Sequence, residues 1–376
     1  MMGSFEGCVA ARAATVVIVR DEAMKPWQRT LYILALVQFI SAVGFSTIFP
    51  FLPLYIEHLG SSAGLSLELL SGLVYSGQAF TMMIAAPIWG ALADRHGRKM
   101  MVLRSTMGGA VIITLMGFVT SAEQLVALRA VQGAVTGTLS ALMALVAASV
   151  PRERMGYALG MIQVGLWGGV AGGPLIGGVL ADELGFEAAF IITGALLALS
   201  GGLVWWGIEE QFEPLPTSSR GLGLASAWRH VLAAGGVRRV FAAGFLNQLG
   251  RSVIMPFTPL LIAQLMHDSG RTSTVTGLVV GAAAFAGTLS AIYLGRVGDR
   301  IGHRTVLLWA ALVAGLLYFP QSMVTSVWQL LVLQVITGAA AGGILPALAA
   351  LLARYSEPGE EGAVYKVGDL IGTIEE

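Results

Sequence analysis

Charge is scarce in this chain. Asp, Glu, Lys and Arg make up 12% of its 376 residues, and 22 acidic and 22 basic side chains cancel to a net charge of zero. A soluble domain carries about 25% charged residues, so the composition speaks against a water-covered globule. The neutral balance offers no electrostatic footprint for nucleic acid. Cysteine is nearly absent: Cys8 stands alone, which excludes an intramolecular disulfide and leaves the redox compartment open. The five histidines are scattered without metal-ligand spacing, and no nucleophile–base pair forms a coherent group. No glycine loop follows a strand and ends in Lys-Ser/Thr, so none reads as a phosphate cradle. These absences argue against an enzyme and call for neither cofactor nor metal.

What the chain has instead is apolar length. Apolar residues make up 56% of it, and mean hydropathy is +0.77. Stretches long enough to cross about 30 Å of hydrocarbon fall at about 31–55, 69–92, 101–119, 124–148, 157–181 and 187–208, then at about 238–265, 274–298, 305–324 and 327–353. The reading is an all-α polytopic membrane protein. Between the two sets lies a segment that starts acidic at Glu209, Glu210 and Glu213, contains Pro214 and Pro216, and turns basic at Arg220 and Arg229. It reads as a connector. The expected division is a tail over 1–26, a six-helix bundle over 27–208, a linker over 209–237 and a second, incomplete bundle over 238–376.

Basic residues gather on alternate loops. With the N-terminus in the cytoplasm, that side holds Arg95, Arg98, Lys99, Arg104, Arg152, Arg154, Arg296, Arg300, Arg304 and Arg354, whereas the opposite loops hold only Arg271 among Asp182, Glu183, Glu187 and Asp268. This asymmetry predicts a multi-pass protein of the cell membrane with a cytoplasmic N-terminus. Met24-Lys25-Pro26-Trp27 puts basic residues and an interfacial Trp just before the first span, so translation is expected to begin at Met24; N-terminal sequencing would test it.

The halves repeat. Gly90, Asp94-Arg95 and Gly97, followed by Arg98-Lys99, are echoed by Gly295, Asp299-Arg300 and Gly302, followed by His303-Arg304, at an offset of 205 (302 − 97). Leu125 to Gly137 answers Leu330 to Gly342 at the same offset, and Phe49-Pro50-Phe51-Leu52-Pro53 answers Met255-Pro256-Phe257-Thr258-Pro259 at 206. Matched loops in two membrane-embedded halves indicate a duplicated fold, and such folds are mostly transporters. The repeat also implies some 40 further residues beyond 376, so the expectation is a fragment or frameshifted product in which span 11 barely starts and span 12 is missing. Extending the reading frame would test that.

These phrases resemble the major facilitator superfamily, in particular its twelve-helix, proton-coupled multidrug exporters, over about residues 27 to 370. Gly90 to Lys99 is similar to the superfamily's loop between helices 2 and 3, and Asp299-Arg300 to its echo between helices 8 and 9. Leu125, Arg129, Gln132 and Gly133 resemble the helix-4 motif. Gly169, Gly173, Pro174, Gly177 and Gly178 resemble the helix-5 motif associated with antiporters. The resemblance implies two pseudo-symmetric six-helix bundles, alternating access, a cytoplasmic latch built on Asp94, Arg95, Arg98 and Lys99, and a role for Arg129 in proton coupling or substrate binding.

The residues themselves say the following. Gly90 is expected to let helices approach closely. Arg129 lies inside span 4, where a central Arg costs roughly 2.5–3.5 kcal/mol on insertion scales, so it should face a cavity or a partner; a snorkelling Arg is the competing reading. Arg251, before Pro256 in a span expected to break there, is a second intramembrane cation. Spans 1 to 10 carry no mid-membrane Asp or Glu, and Asp369, at the opening of span 11, is the other candidate acid. That shifts the expected cargo toward neutral or anionic amphipathic compounds. Gln38, Tyr75, Gln78, Gln163, Trp167, Asn247 and Gln248 are candidate cavity-lining residues, each of which could instead bind a neighbouring helix or lipid. Trp27, Trp89, Trp205, Trp206 and Trp328 read as interfacial anchors. The expected activity is proton-coupled efflux of small amphipathic compounds by a monomer, with small-molecule substrate, protons and lipid as its partners. An importer or facilitator of sugars or organic acids in the same fold, and a non-functional truncated or scaffold membrane protein, stand as alternatives.

Overall fold

In the computed structural model, residues 25–210, 235–266 and 270–355 are described, and every regular element among them is helical. The candidate start Met24, Cys8, most of the linker and Asp369 fall outside the described residues, as does the expected opening of span 11.

Span 1 is α1 (Pro26–Thr47) followed by α2 (Leu52–Leu59), broken where Pro50 and Pro53 remove backbone donors. Span 2 is α3 (Leu67–His96) and span 3 is α4 (Arg98–Met116). Span 4 is α5 (Ala122–Val135) and α6 (Thr138–Ser149), and spans 5 and 6 are α7 (Met155–Leu184) and α8 (Phe186–Gly207). The second set runs α9 (Gly235–Ile254), α10 (Phe257–Met266), α11 (Thr272–Ile301), α12 (His303–Gln321), α13 (Val327–Ala341) and α14 (Ile344–Tyr355). Among the described residues nine helices are long and apolar enough to cross a membrane. The sequence predicts ten spans. The difference is span 4, which is not one rod: Gly137 takes φ +122° and separates α5 from α6.

The duplication is written in the backbone. Gly97 and Gly302 both turn with φ near +90° (92° and 93°), ending α3 and α11 and starting α4 and α12; only glycine adopts that conformation without strain. Ser121 caps α5 by accepting from the Gln124 amide, and its counterpart Ser326 caps α13 by accepting from the Gln329 amide. A β-carbon on Gly133 would overlap the carbonyl of Gln78, and one on Gly338 would overlap the carbonyl of Ala283, so α5 crosses α3 as α13 crosses α11. The span-10 break after Ala341 repeats the span-4 break after Val135.

Within the first half α1 packs along α7 and α8, and α4 along α8. Two buried clusters hold it. One, at the α2 end, centres on Phe51, Tyr55 and Phe190, with ring centroids 5.2–5.4 Å apart. The other, at the opposite end, gathers Leu31, Leu34, Val102, Leu142 and Leu145. The main joint between halves is α7 against α11, supplemented by α2 against α10.

Candidate functional site

A cavity of about 3400 Å³ lies between the halves, walled by residues of both. Gln38, Tyr75, Gln78, Gln163 and Trp167 line it from the first half, and Asn247, Gln248 and Arg251 from the second. Its wall is mostly apolar, which suits a hydrophobic ligand held by a few polar groups. Four guanidinium groups border it, from Arg98, Arg104, Arg129 and Arg251, against a single carboxylate among the described residues, Glu68.

Arg129 is the largest of the fully buried side chains among the described residues, 1% exposed. It does not snorkel. Its Nη1 donates to Gln78 Oε1 and to Gln132 Oε1, both at 2.9 Å. Gln132 stands one turn further along α5 on the same helix face, and Gln78 faces it because Gly133 lets α3 and α5 touch backbone to backbone. The guanidinium lies 6.0 Å from the Phe49 ring centroid, and Tyr75, stacked on Phe49, donates its hydroxyl to the Phe49 carbonyl at 3.3 Å. Among the described residues Nε and Nη2 of Arg129, Nε2 of Gln132 and Oε1 of Gln38 are buried without a hydrogen-bond partner. A cation in that position is expensive unless something shares its charge. In the second half the equivalent position is Gln334, whose amide donates to Gln321 at 3.1 Å, so a neutral network stands where the first half keeps a cation.

The glycine run of span 5 works on two faces. Gly165, Gly169, Gly173 and Gly177 meet α1, where β-carbons would crowd the backbone or side chains from Ala35 to Thr47, and Ser46 donates to the Gly169 carbonyl at 3.0 Å. Gly178 faces the other way, onto the Ser273 carbonyl of α11, while Gly277 of α11 sits on the Pro174 carbonyl. Most of the run therefore packs within its own half, and its last glycine with Pro174 makes the joint to the other.

A family model described as Major Facilitator Superfamily matches residues 34–238 and 240–368. The chain belongs to the major facilitator superfamily. It is 38% identical over 326 residues to the multidrug resistance protein MdtG of Serratia proteamaculans, spanning 87% of this chain and 79% of that one. It is 36% identical over 364 residues to that of Dickeya zeae, spanning 94% and 88%. Among solved structures, a bacterial homologue of the human lysosomal transporter Spinster superimposes with TM-score 0.76 at 16% identity, over 93% of this chain and 80% of that one. The nucleoside transporter NupG superimposes with TM-score 0.71 at 14% identity, over 92% and 88%. Both share the fold. The superfamily is one of multi-pass membrane transporters.

The two Asp-Arg loops of this superfamily member share one end of the bundle, its basic end. Of Asp94 and Arg95 the side chains lie outside the described residues. Glu210, at the start of the linker, accepts from the backbone amides of Arg98 (2.9 Å) and Lys99 (2.8 Å) and so caps α4, while Lys99 Nζ donates to the carbonyls of Trp205 and Ile208 at the end of α8. A carboxylate on a helix N-terminus and an ammonium on a C-terminus oppose each helix dipole favourably. Among the described residues the second loop shows no such clamp: Asp299 pairs with His303 at 3.2 Å, and Arg300 and Arg304 are exposed.

One expectation needs correction, and another meets no partner among the described residues. There, nothing lies within 4 Å of a β-carbon built on Gly90 or on Gly295, and Gly90 borders the cavity. Trp89 is not a lipid anchor. Its indole donates to the Ala134 carbonyl at 2.6 Å, and Arg104 stacks on its ring at 3.6 Å, because α3 turns that face toward the cavity. Sequence reasoning also passed over Glu210 and Asp182, whose partners lie 111 and 92 residues away. The signal that could have found them is an acid just beyond or within the last turn of a span, opposite a helix start.

Proposed function

We propose that this transporter exports small amphipathic compounds across the cell membrane by alternating access, in exchange for protons. The observation that carries the reading is the cavity walled by both halves, with the buried Arg129–Gln78–Gln132 cluster in its side. Relatives 36–38% identical over most of the chain are named multidrug resistance proteins. The apolar wall bordered by four guanidinium groups favours neutral or anionic amphipaths over cations. The positive-inside asymmetry orients the basic end to the cytoplasm and the Glu123, Asp182, Glu183 end outward. The bundles over 27–208 and from 238 then rock as two bodies joined by the linker 209–237, with the protein acting as a monomer. Gly90, Asp94, Arg95, Arg98 and Lys99, with Asp299 and Arg300, form the cytoplasmic gate, and Arg129 answers the proton or cargo charge.

Inverted vesicles carrying the protein test this. Acid-loaded vesicles should release protons when an amphipathic cargo is added, and Arg129→Ala should cut that release by about tenfold or more, the scale of one lost charge-assisted interaction. Cargo accumulation without proton release would replace antiport by another coupling. Unchanged efflux in Arg129→Ala would reduce that residue to a structural one.

A further inference from the structure

The joint between the halves ends in a carboxylate that sequence composition does not call for. Asp182 stands in the last turn of α7, half-buried, and accepts from the backbone amides of Ser273 (3.2 Å) and Thr274 (2.6 Å) in the first turn of α11. The residue preceding α11, Arg271, supplies no side-chain cap to that helix. A 30-residue helix of one half is thus capped by an acid of the other. The free amides and positive dipole end of α11 favour a negative charge there. Just inside the cap the backbones touch, Gly178 on the Ser273 carbonyl, Gly277 on the Pro174 carbonyl and Gly281 on the Ala171 carbonyl. The neighbouring Arg271–Glu183 pair, 3.8 Å apart with both side chains more than half exposed, adds little. Positive-inside topology requires no acid on this face, and both Asp182 bonds cross between halves, so neither serves the folding of its own bundle.

We infer that Asp182 is the bolt of the outer gate: its bonds to α11 exist while the outer ends of α7 and α11 are together, and the transport cycle must break them to open the cavity outward. The inference rests on the alternating-access reading. Asp182 touches no cargo in this role; it sets the balance between the two states.

The test uses the full chain in membrane vesicles, in a Cys8→Ser background carrying Glu183→Cys and Arg271→Cys, a pair whose native side chains are in reach across the joint. A short bifunctional maleimide reports how often the outer ends are together. Asp182→Ala should slow cross-linking by about tenfold. Asp182→Asn, which keeps one accepting oxygen but turns the other into a donor, should slow it by less than Asp182→Ala does. Thr274→Pro deletes the shorter donor from the other half, at a first-turn position where proline is tolerated, and should slow cross-linking as Asp182→Ala does; it decides the matter if Asp182→Ala fails to reach the membrane. Unchanged cross-linking in both variants overturns the bolt. The cross-linked pair should also stop transport. Cross-linking that responds to Asp182→Ala while the linked protein still transports would instead overturn alternating access across this joint, and the bolt with it.

Discussion

Arg129 concentrates the chemistry of this chain in one side chain. The residue is 1% exposed, and among the described residues only its Nη1 has hydrogen-bond partners, the side-chain amide oxygens of Gln78 and Gln132. Removing one acceptor from a buried cation leaves it less compensated, which costs about 1–3 kcal/mol. Gln132→Leu should therefore lower unfolding stability by that amount. In an Arg129→Leu background the same change should cost clearly less, because the cation that needed the oxygen is gone; a double-mutant cycle in thermal or denaturant unfolding measures the coupling. Additive effects would show that the two side chains do not share a network. At the far end, Glu123 stands just before the apolar run of span 4 and gathers Ser61 Oγ (2.7 Å), Ser62 Oγ (2.9 Å) and the Ala63 amide (3.0 Å). The Ser61 hydroxyl and then the Ala63 amide hold its carboxyl well below the ordinary 4.5. A lowered native pKa contributes stability that is complete above the ordinary value and lost as pH falls below it toward the native one. Amide exchange at Ser62 and Ala63 should accordingly lose protection below about pH 4.5 and hold constant from pH 5 to 7.

At the scale of elements, α7 decides how the halves meet. Its glycines are not interchangeable, and their positions say which ones matter. A methyl at Gly177 would overlap the Thr47 carbonyl of α1, whereas one at Gly172 meets nothing within 4 Å among the described residues. Gly177→Ala should destabilise by about 1–3 kcal/mol, the cost of overpacking. Gly172→Ala should be neutral or slightly stabilising, by about 0.5–1 kcal/mol, since alanine suits a helix interior better. Comparing melting temperatures of the two variants in detergent checks the pair; equal losses would mean that helix propensity, not contact, governs the run. The breaks in spans 4 and 10 belong to this scale too. Gly137 reverses its φ and lies 3.9 Å (at its β-carbon position) from Arg104 Nη2, so the kink brings α6 beside the Arg104–Trp89 stack at the cavity wall.

For the whole molecule, the asymmetry of charge and the asymmetry of clamping coincide. The basic end holds one loop tied to Glu210 and α8 and another left with exposed Arg300 and Arg304. The opposite end is held across the halves by Asp182. If that basic end faces the cytoplasm, a reporter active only in the cytoplasm should be active when inserted within residues 217–219 of the linker, and one active only outside should be silent there. The reverse pattern would invert the orientation and with it the direction assigned to export.

Much of this was legible in the residues. Apolar runs announce helices because a bilayer leaves backbone groups no other partner. A constant offset announces duplication, and the turn glycines Gly97 and Gly302, the caps Ser121 and Ser326, and the bend before Pro256 stand where local chemistry put them. The sequence by itself thus determined the helices, their repeat and the distribution of charge, all of which depend on neighbours along the chain or on the solvent around it. Tertiary structure alone decided that Gly90 borders the cavity, that Trp89 serves the cavity, that Gly177 faces α1 while Gly178 faces α11, and that Glu210 and Asp182 are helix caps. Those outcomes depend on which side chain arrives opposite which backbone group from a hundred or so residues away. Helical periodicity fixes the face a residue occupies, and only the crossing of two helices supplies what that face meets.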